Sequence, residues 1–87
     1  MNYDPSQLFG LRLVELRKRL GWSQERLSFE SGLARSYVSG IERGQRNLAL
    51  TNICKLAETL GVEPSEMLNF RPRPAEASKD FTDKLPD

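Results

Sequence analysis

From Phe9 onward apolar residues recur every three or four positions, and glycines at 21, 32, 44 and 61 interrupt the recurrence. That period belongs to helices packed along one face. A first helix is predicted to start behind Asp4, an N-cap residue, with Pro5 at the first helical position and Gln7 placed to close a capping box. Phe9, Leu13, Leu16 and Leu20 then share its inner face, and Gly21 stops it. Ser23 caps a second helix over Gln24 to Ser31, with Leu27 pointing inward and Gly32 at its end. After the link Gly32-Leu33-Ala34, a third helix runs from about Arg35 to Arg43, with Val38 and Ile41 inside and Gly44 after it. A fourth carries Leu50, Ile53, Ala57 and Leu60 on one face and ends at Gly61. Glu63-Pro64-Ser65 opens a short fifth, which holds Met67 and Leu68. No stretch alternates with the period of two that marks a strand. The chain reads as all-α, a compact bundle of five short helices.

Beyond Asn69 the pattern stops. Arg71-Pro72-Arg73-Pro74 favours extended chain, and only Phe81 and Leu85 are large apolar residues past Phe70. Residues 1–69 are therefore expected to form the domain and 70–87 a flexible tail, with docking of Phe81 and Leu85 on the body or on a second copy as the alternative. At 87 residues there is room for one core.

Charge and chemistry narrow the function. The net charge is only +1, but Leu11 to Arg46 holds eight basic and four acidic residues, whereas Leu56 to Asn69 holds three acidic residues and no basic ones. Such asymmetry favours an anionic partner on the first half, against the plain reading of two solvated faces. With no histidine and a single cysteine, the chain lacks the usual general base, a zinc ligand set and an internal disulfide. No metal, cofactor, small-molecule ligand or catalysis is expected. No apolar run reaches the roughly 20 residues that span a bilayer, and Met1-Asn2-Tyr3-Asp4-Pro5 has no signal-like core, so the expectation is a cytoplasmic protein without a membrane partner. Cys54, one turn after Leu50 and one before Ala57, reads as a small core residue, with a redox switch as the lesser alternative.

The span Gln24 to Arg43 has the form helix, tight turn, helix. Leu27, Leu33, Val38 and Ile41 stand where two crossing helices must pack, and Gly32 stands at the turn. In a helix-turn-helix the second helix enters a DNA major groove with its N-terminal residues nearest the base edges.

The wording of the chain is more specific than its spacing. Trp22-Ser23-Gln24-Glu25-Arg26-Leu27, then Gly32-Leu33-Ala34-Arg35-Ser36-Tyr37-Val38-Ser39-Gly40-Ile41-Glu42-Arg43-Gly44-Gln45-Arg46-Asn47, resembles the Cro/phage-repressor (XRE-like) helix-turn-helix family. Leu56-Ala57-Glu58-Thr59-Leu60-Gly61-Val62 matches the family's fourth helix and its exit. The resemblance covers about residues 8–69 and implies a lambda-repressor-like DNA-binding domain. Ser36 to Arg43, followed by Arg46-Asn47, looks most like the controller proteins of restriction–modification systems.

The resemblance implies a role for each matching residue. Gln24 matches a position that bonds a DNA phosphate and braces the recognition helix, with an exposed first-turn residue as the plain alternative. Arg35 and Ser36 match positions facing base edges. An arginine there can make two parallel hydrogen bonds to guanine, worth about 1–3 kcal/mol against a wrong base, although a phosphate contact stays open for Arg35. Tyr37 either stacks on sugar or methyl groups or packs against its own fold. Ser39 and Gly40 lie a turn further along, where Gly40 would let the backbone approach the groove at about 1 kcal/mol of helix propensity. Arg43, Arg46 and Asn47 match backbone-clamping positions, and Thr51 or Asn52 adds a phosphate contact. Arg17 and Glu42 match a structural ion pair between the first helix and the recognition helix. The family often has capping residues where Ala34 and Ala49 stand, and Ala and an apolar residue where Ser28 and Ser31 stand.

Val62, Met67, Leu68 and Phe70 exceed what a five-helix core obviously needs and are read as a homodimer patch, with core completion as the alternative. The function so expected is a homodimeric regulator of transcription that binds double-stranded DNA at a pseudo-palindromic operator. Two-fold symmetry would set the recognition helices about 34 Å apart. Control would come from protein concentration, operator occupancy and contacts with RNA polymerase. The competing expectation is an antitoxin-like module whose main role is to bind a partner protein, with the tail from Phe70 to Asp87 as its discriminating segment.

Overall fold

Five helices follow one another in the computed structural model, which describes residues 2–70: α1 (Pro5–Arg19), α2 (Gln24–Ser31), α3 (Arg35–Glu42), α4 (Leu50–Leu60) and α5 (Pro64–Met67). The described residues include no strand. The expected tail, with Phe81 and Leu85, lies outside them from Arg71 on.

Local chemistry sets the ends of α1 and α2. The Asp4 carboxylate accepts from the N–H groups of Ser6 and Gln7 at 3.0 and 3.4 Å, and Pro5 opens α1 where no N–H is needed. Ser23 Oγ accepts from Arg26 N–H at 3.0 Å, and α2 closes on Gly32 at φ 77°, a conformation that suits a residue without a Cβ. The serines at 28 and 31 tie this turn together. Ser28 Oγ donates to Leu33 O, and Ser31 Oγ accepts from Leu33 N–H at 3.2 Å. By contrast α3 and α4 start on Ala34 and Ala49, with no side-chain acceptor for their first amides. α3 also stops one residue earlier than expected, at Glu42, with Arg43 as its cap.

The core draws on every helix: Phe9, Leu13 and Leu16 from α1, Leu27 from α2, Val38 and Ile41 from α3, Leu56, Ala57 and Leu60 from α4, and Met67 from α5. α3 packs on α1 and α2, while α4 packs on α2 and α5. The α1–α3 crossing is close enough to demand a glycine. A methyl on Gly10 would run into the carbonyl oxygens of Ile41 and Glu42. α5 is strapped to α1 by Arg12, which is buried and donates from Nε to Glu66 O at 2.7 Å, from Nη2 to Glu66 Oε1 at 2.8 Å and from Nη1 to Glu15 Oε1 at 2.8 Å.

Four expectations about burial are corrected. The inward stripe of α4 is Ile53, Leu56, Ala57 and Leu60, so Leu50 and Cys54, to one side of it, are exposed, Leu50 at 71%. Leu20 is the cap of α1 rather than part of its inner face, and it too is exposed. Met67 is fully buried, because the short α5 turns that side chain into the core, and it therefore cannot line a dimer patch.

Candidate nucleic-acid interface

The inner side of α3 is fixed before its outer side is considered. Val38 and Ile41 point into the core, while Arg35 and Ser36 stand exposed on the first turn. Behind the helix, Arg17 makes a two-pronged pair with Glu42, Nε to Oε2 at 2.7 Å and Nη2 to Oε1 at 2.9 Å. Its Nη1 donates to Trp22 O at 2.8 Å. Gln24 Nε2 adds a third donor to Glu42, reaching Oε1 at 2.8 Å. Only 10% of the Arg17 side chain and 4% of that of Glu42 are accessible. One buried carboxylate thus ties α1, α2 and α3 together, and its negative charge is neutralised away from the outer face. Gln24 is half-buried and engaged in this brace; a phosphate contact would have to use its remaining amide hydrogen.

The outer face is cationic and loosely held. The Arg35 side chain is 62% accessible, and its nearest carboxylate, Glu25 Oε2, lies 4.0 Å from Nη1. Arg43 is exposed and held by neutral groups, donating from Nη1 to Ser39 Oγ at 2.7 Å and from Nη2 to Gln45 Oε1 at 3.2 Å. Arg46 is exposed with its guanidinium carbon 5.5 Å from the Tyr37 ring centroid, within cation–π range. Asn47 and Thr51 are exposed on the way into α4. Tyr37 is half-buried against the core, and its hydroxyl accepts from Asn52 Nδ2 at 3.1 Å. That bond, with Arg46 over the same ring, brings the first turns of α3 and α4 side by side. Both helices begin without a capping side chain, so their first N–H groups are free to meet an anion.

Two roles change in this light. Asn52 is spent on Tyr37 rather than aimed outward, leaving Thr51 as the exposed hydroxyl of that turn. The space above Gly40, expected to admit a close approach to the groove, is filled by the Arg46 side chain. Sequence reasoning missed the Glu25–Arg35 contact, the Asn52–Tyr37 bond and the Arg12 strap. The spacing of Tyr37 and Gly40, three apart on one helical face, was the one local signal of a shared surface.

Of the residues read as a dimer patch, Leu68 is exposed, and Val62 and Phe70 are half-buried against the core. Leu68 and Phe70 line an apolar groove with Pro5, Phe9, Leu48 and Ile53. No helix among the described residues is long and apolar enough to cross a membrane.

Comparison with known proteins agrees with this geometry. The helix-turn-helix family HTH_3 matches residues 13–67. Control protein C.BamHI of Bacillus amyloliquefaciens is 47% identical over 64 residues, which are 72% of this chain and 79% of that protein. The crystal structure of the restriction–modification controller protein C.AhdI from Aeromonas hydrophila is 58% identical with a TM-score of 0.72, over 75% of this chain and 98% of that one. A tetramer of the controller protein C.Esp1396I, in complex with its natural 35-base-pair operator, is 31% identical with a TM-score of 0.69, over 77% and 92% of the two chains. The alternative of an antitoxin-like module draws no support from these relatives.

Proposed function

The chain belongs to the helix-turn-helix family HTH_3, and from that premise we propose that it is a sequence-specific DNA-binding regulator of transcription, acting as a homodimer on a pseudo-palindromic operator in the manner of a restriction–modification controller. The observation that carries this reading is the division of α3. Its inner side is anchored by a buried, fully bonded carboxylate, and its outer side presents Arg35 and Ser36 at an uncapped N-terminus. A helix held from behind and bare in front has the form needed to lie in a major groove. The similar C.Esp1396I is known in complex with its operator.

In this reading Arg35 and Ser36 touch base edges. Ser39 lies at the edge of the groove, where it also holds Arg43. Tyr37 lies beside the sugar–phosphate backbone. Arg43, Arg46, Asn47 and Thr51, with the first amides of α4, grip phosphates, and Gln24 does so from the start of α2. The two-fold contact uses Leu68 and the outer edges of Val62 and Phe70. The protein works in the cytoplasm without catalysis of its own, through operator occupancy and contact with RNA polymerase.

Selection of bound fragments from a random duplex pool tests this. The expected outcome is a two-fold-symmetric consensus with half-sites about one helical turn apart. Recovery of no consensus, or of an asymmetric one bound by a monomer, would refute the reading.

A further inference from the structure

Glycine is a poor choice inside a helix, yet Gly40 sits in the middle of α3. It is buried, and Arg46 is what covers it. A Cβ built on Gly40 would lie 3.1 Å from Arg46 Nε, 3.3 Å from Cγ and 3.7 Å from Cδ. The shaft of Arg46 therefore runs flat across the bare backbone of α3. One turn earlier on the same face, the Tyr37 ring receives the guanidinium at 5.5 Å, and Asn52 of α4 holds the tyrosine hydroxyl. The chain is bent back to allow this by Gln45 N–H, which donates to Gly40 O at 2.9 Å.

We infer that Gly40 is a positioning residue: with Tyr37 and Asn52 it forms a slot that seats Arg46 in advance, so that its guanidinium meets a DNA phosphate already ordered. This rests on the DNA-binding reading above and deepens it. A free arginine loses much rotamer freedom when it engages a phosphate, whereas a seated one has lost it on folding. The glycine thus serves the protein's own side chain rather than the approach of the duplex. The two explanations separate cleanly, because only the first makes the effect of a methyl at position 40 depend on Arg46.

The test is a double-mutant cycle on the full chain. Dissociation constants are measured for wild type, Gly40→Ala, Arg46→Ala and the double variant, on the duplex recovered by selection and on a random-sequence duplex. Gly40→Ala should weaken both duplexes roughly three- to tenfold, because phosphate contacts carry no sequence information. Its melting temperature should hold or rise, since alanine favours the helix and the clash falls on a side chain able to swing away. In the Arg46→Ala background the same change should alter affinity by less than about twofold. An equal loss in both backgrounds, or no loss from Gly40→Ala alone, would overturn the seat. Failure of the wild type to bind any duplex would instead overturn the DNA reading and this role with it.

A readout without DNA stands beside the cycle. In the proton spectrum of the wild type, nuclear Overhauser contacts should join the Gly40 Hα protons to the Arg46 Cγ and Cδ protons, and Gly40→Ala should abolish the contacts of position 40 with Arg46. Contacts absent in the wild type, or kept in the variant, would contradict the slot even where a variant folds poorly.

Discussion

The molecule uses arginine in two ways, and the contrast separates scaffold from site. Arg12 and Arg17, on α1, are buried, and each donates through Nε, Nη1 and Nη2 to fixed protein acceptors. Arg35, Arg43 and Arg46, on α3 and the loop after it, are exposed and lean on a distant carboxylate, neutral oxygens or a ring face. A buried guanidinium left without acceptors would cost several kcal/mol, so those on α1 are saturated by the fold. The exposed ones keep donor capacity for something outside the chain. The same side chain is structural in one place and available in the other, and burial with bonding decides which.

The contrast can be broken from the scaffold side first. Arg17→Ala leaves the nearly inaccessible Glu42 carboxylate with only Gln24 as donor. It should lower unfolding free energy by about 3–5 kcal/mol in a denaturant titration. A loss below about 1 kcal/mol would mean that the pair is solvated in practice. Next in size is Gly10→Ala, which drives a methyl into two α3 carbonyls and should cost about 1–3 kcal/mol even after the helix gain of alanine. Arg12→Ala should cost roughly 1–3 kcal/mol, because Glu66 O loses its donor while the half-exposed Glu66 carboxylate turns to water. The smallest effect sharpens the comparison. Ala34→Asp supplies the cap that α3 lacks and should raise stability by about 1 kcal/mol, while its charge beside the phosphates should weaken every duplex. Tighter DNA binding by that variant would argue against α3 as the inserted helix.

How far this was legible in the sequence follows from where the information lies. Asp4, Ser23, Gly32 and Gly61 act on their own neighbours, so the helix limits could be read to within a residue, Arg43 being the cap rather than the last turn of α3. Period alone could not say which side of α4 is covered. Leu50 and Leu56 are both compatible with an apolar stripe, and the packing of α2 and α5 buries Leu56 and leaves Leu50 and Cys54 outside. Met67 went inward for the same reason, since the place of α5 is set by Arg12, 54 residues away in sequence. The exposure of Arg35 and Ser36 follows from Val38 and Ile41 facing in, so the outer face of α3 was readable from its helical phase. What filled the space over Gly40 was not, because Arg46 reaches it from a loop whose path no local pattern encodes.

The central claim is that the first turn of α3 distinguishes base pairs while the residues around it hold the backbone. It is tested most directly by the ratio of affinities for the selected duplex and a random one, in wild type, Arg35→Ala and Arg43→Ala. Arg35→Ala should lower that ratio by roughly 10- to 100-fold with stability unchanged within about 0.5 kcal/mol, and Arg43→Ala should weaken both duplexes and leave the ratio in place. Equal losses on both duplexes from Arg35→Ala would contradict the account.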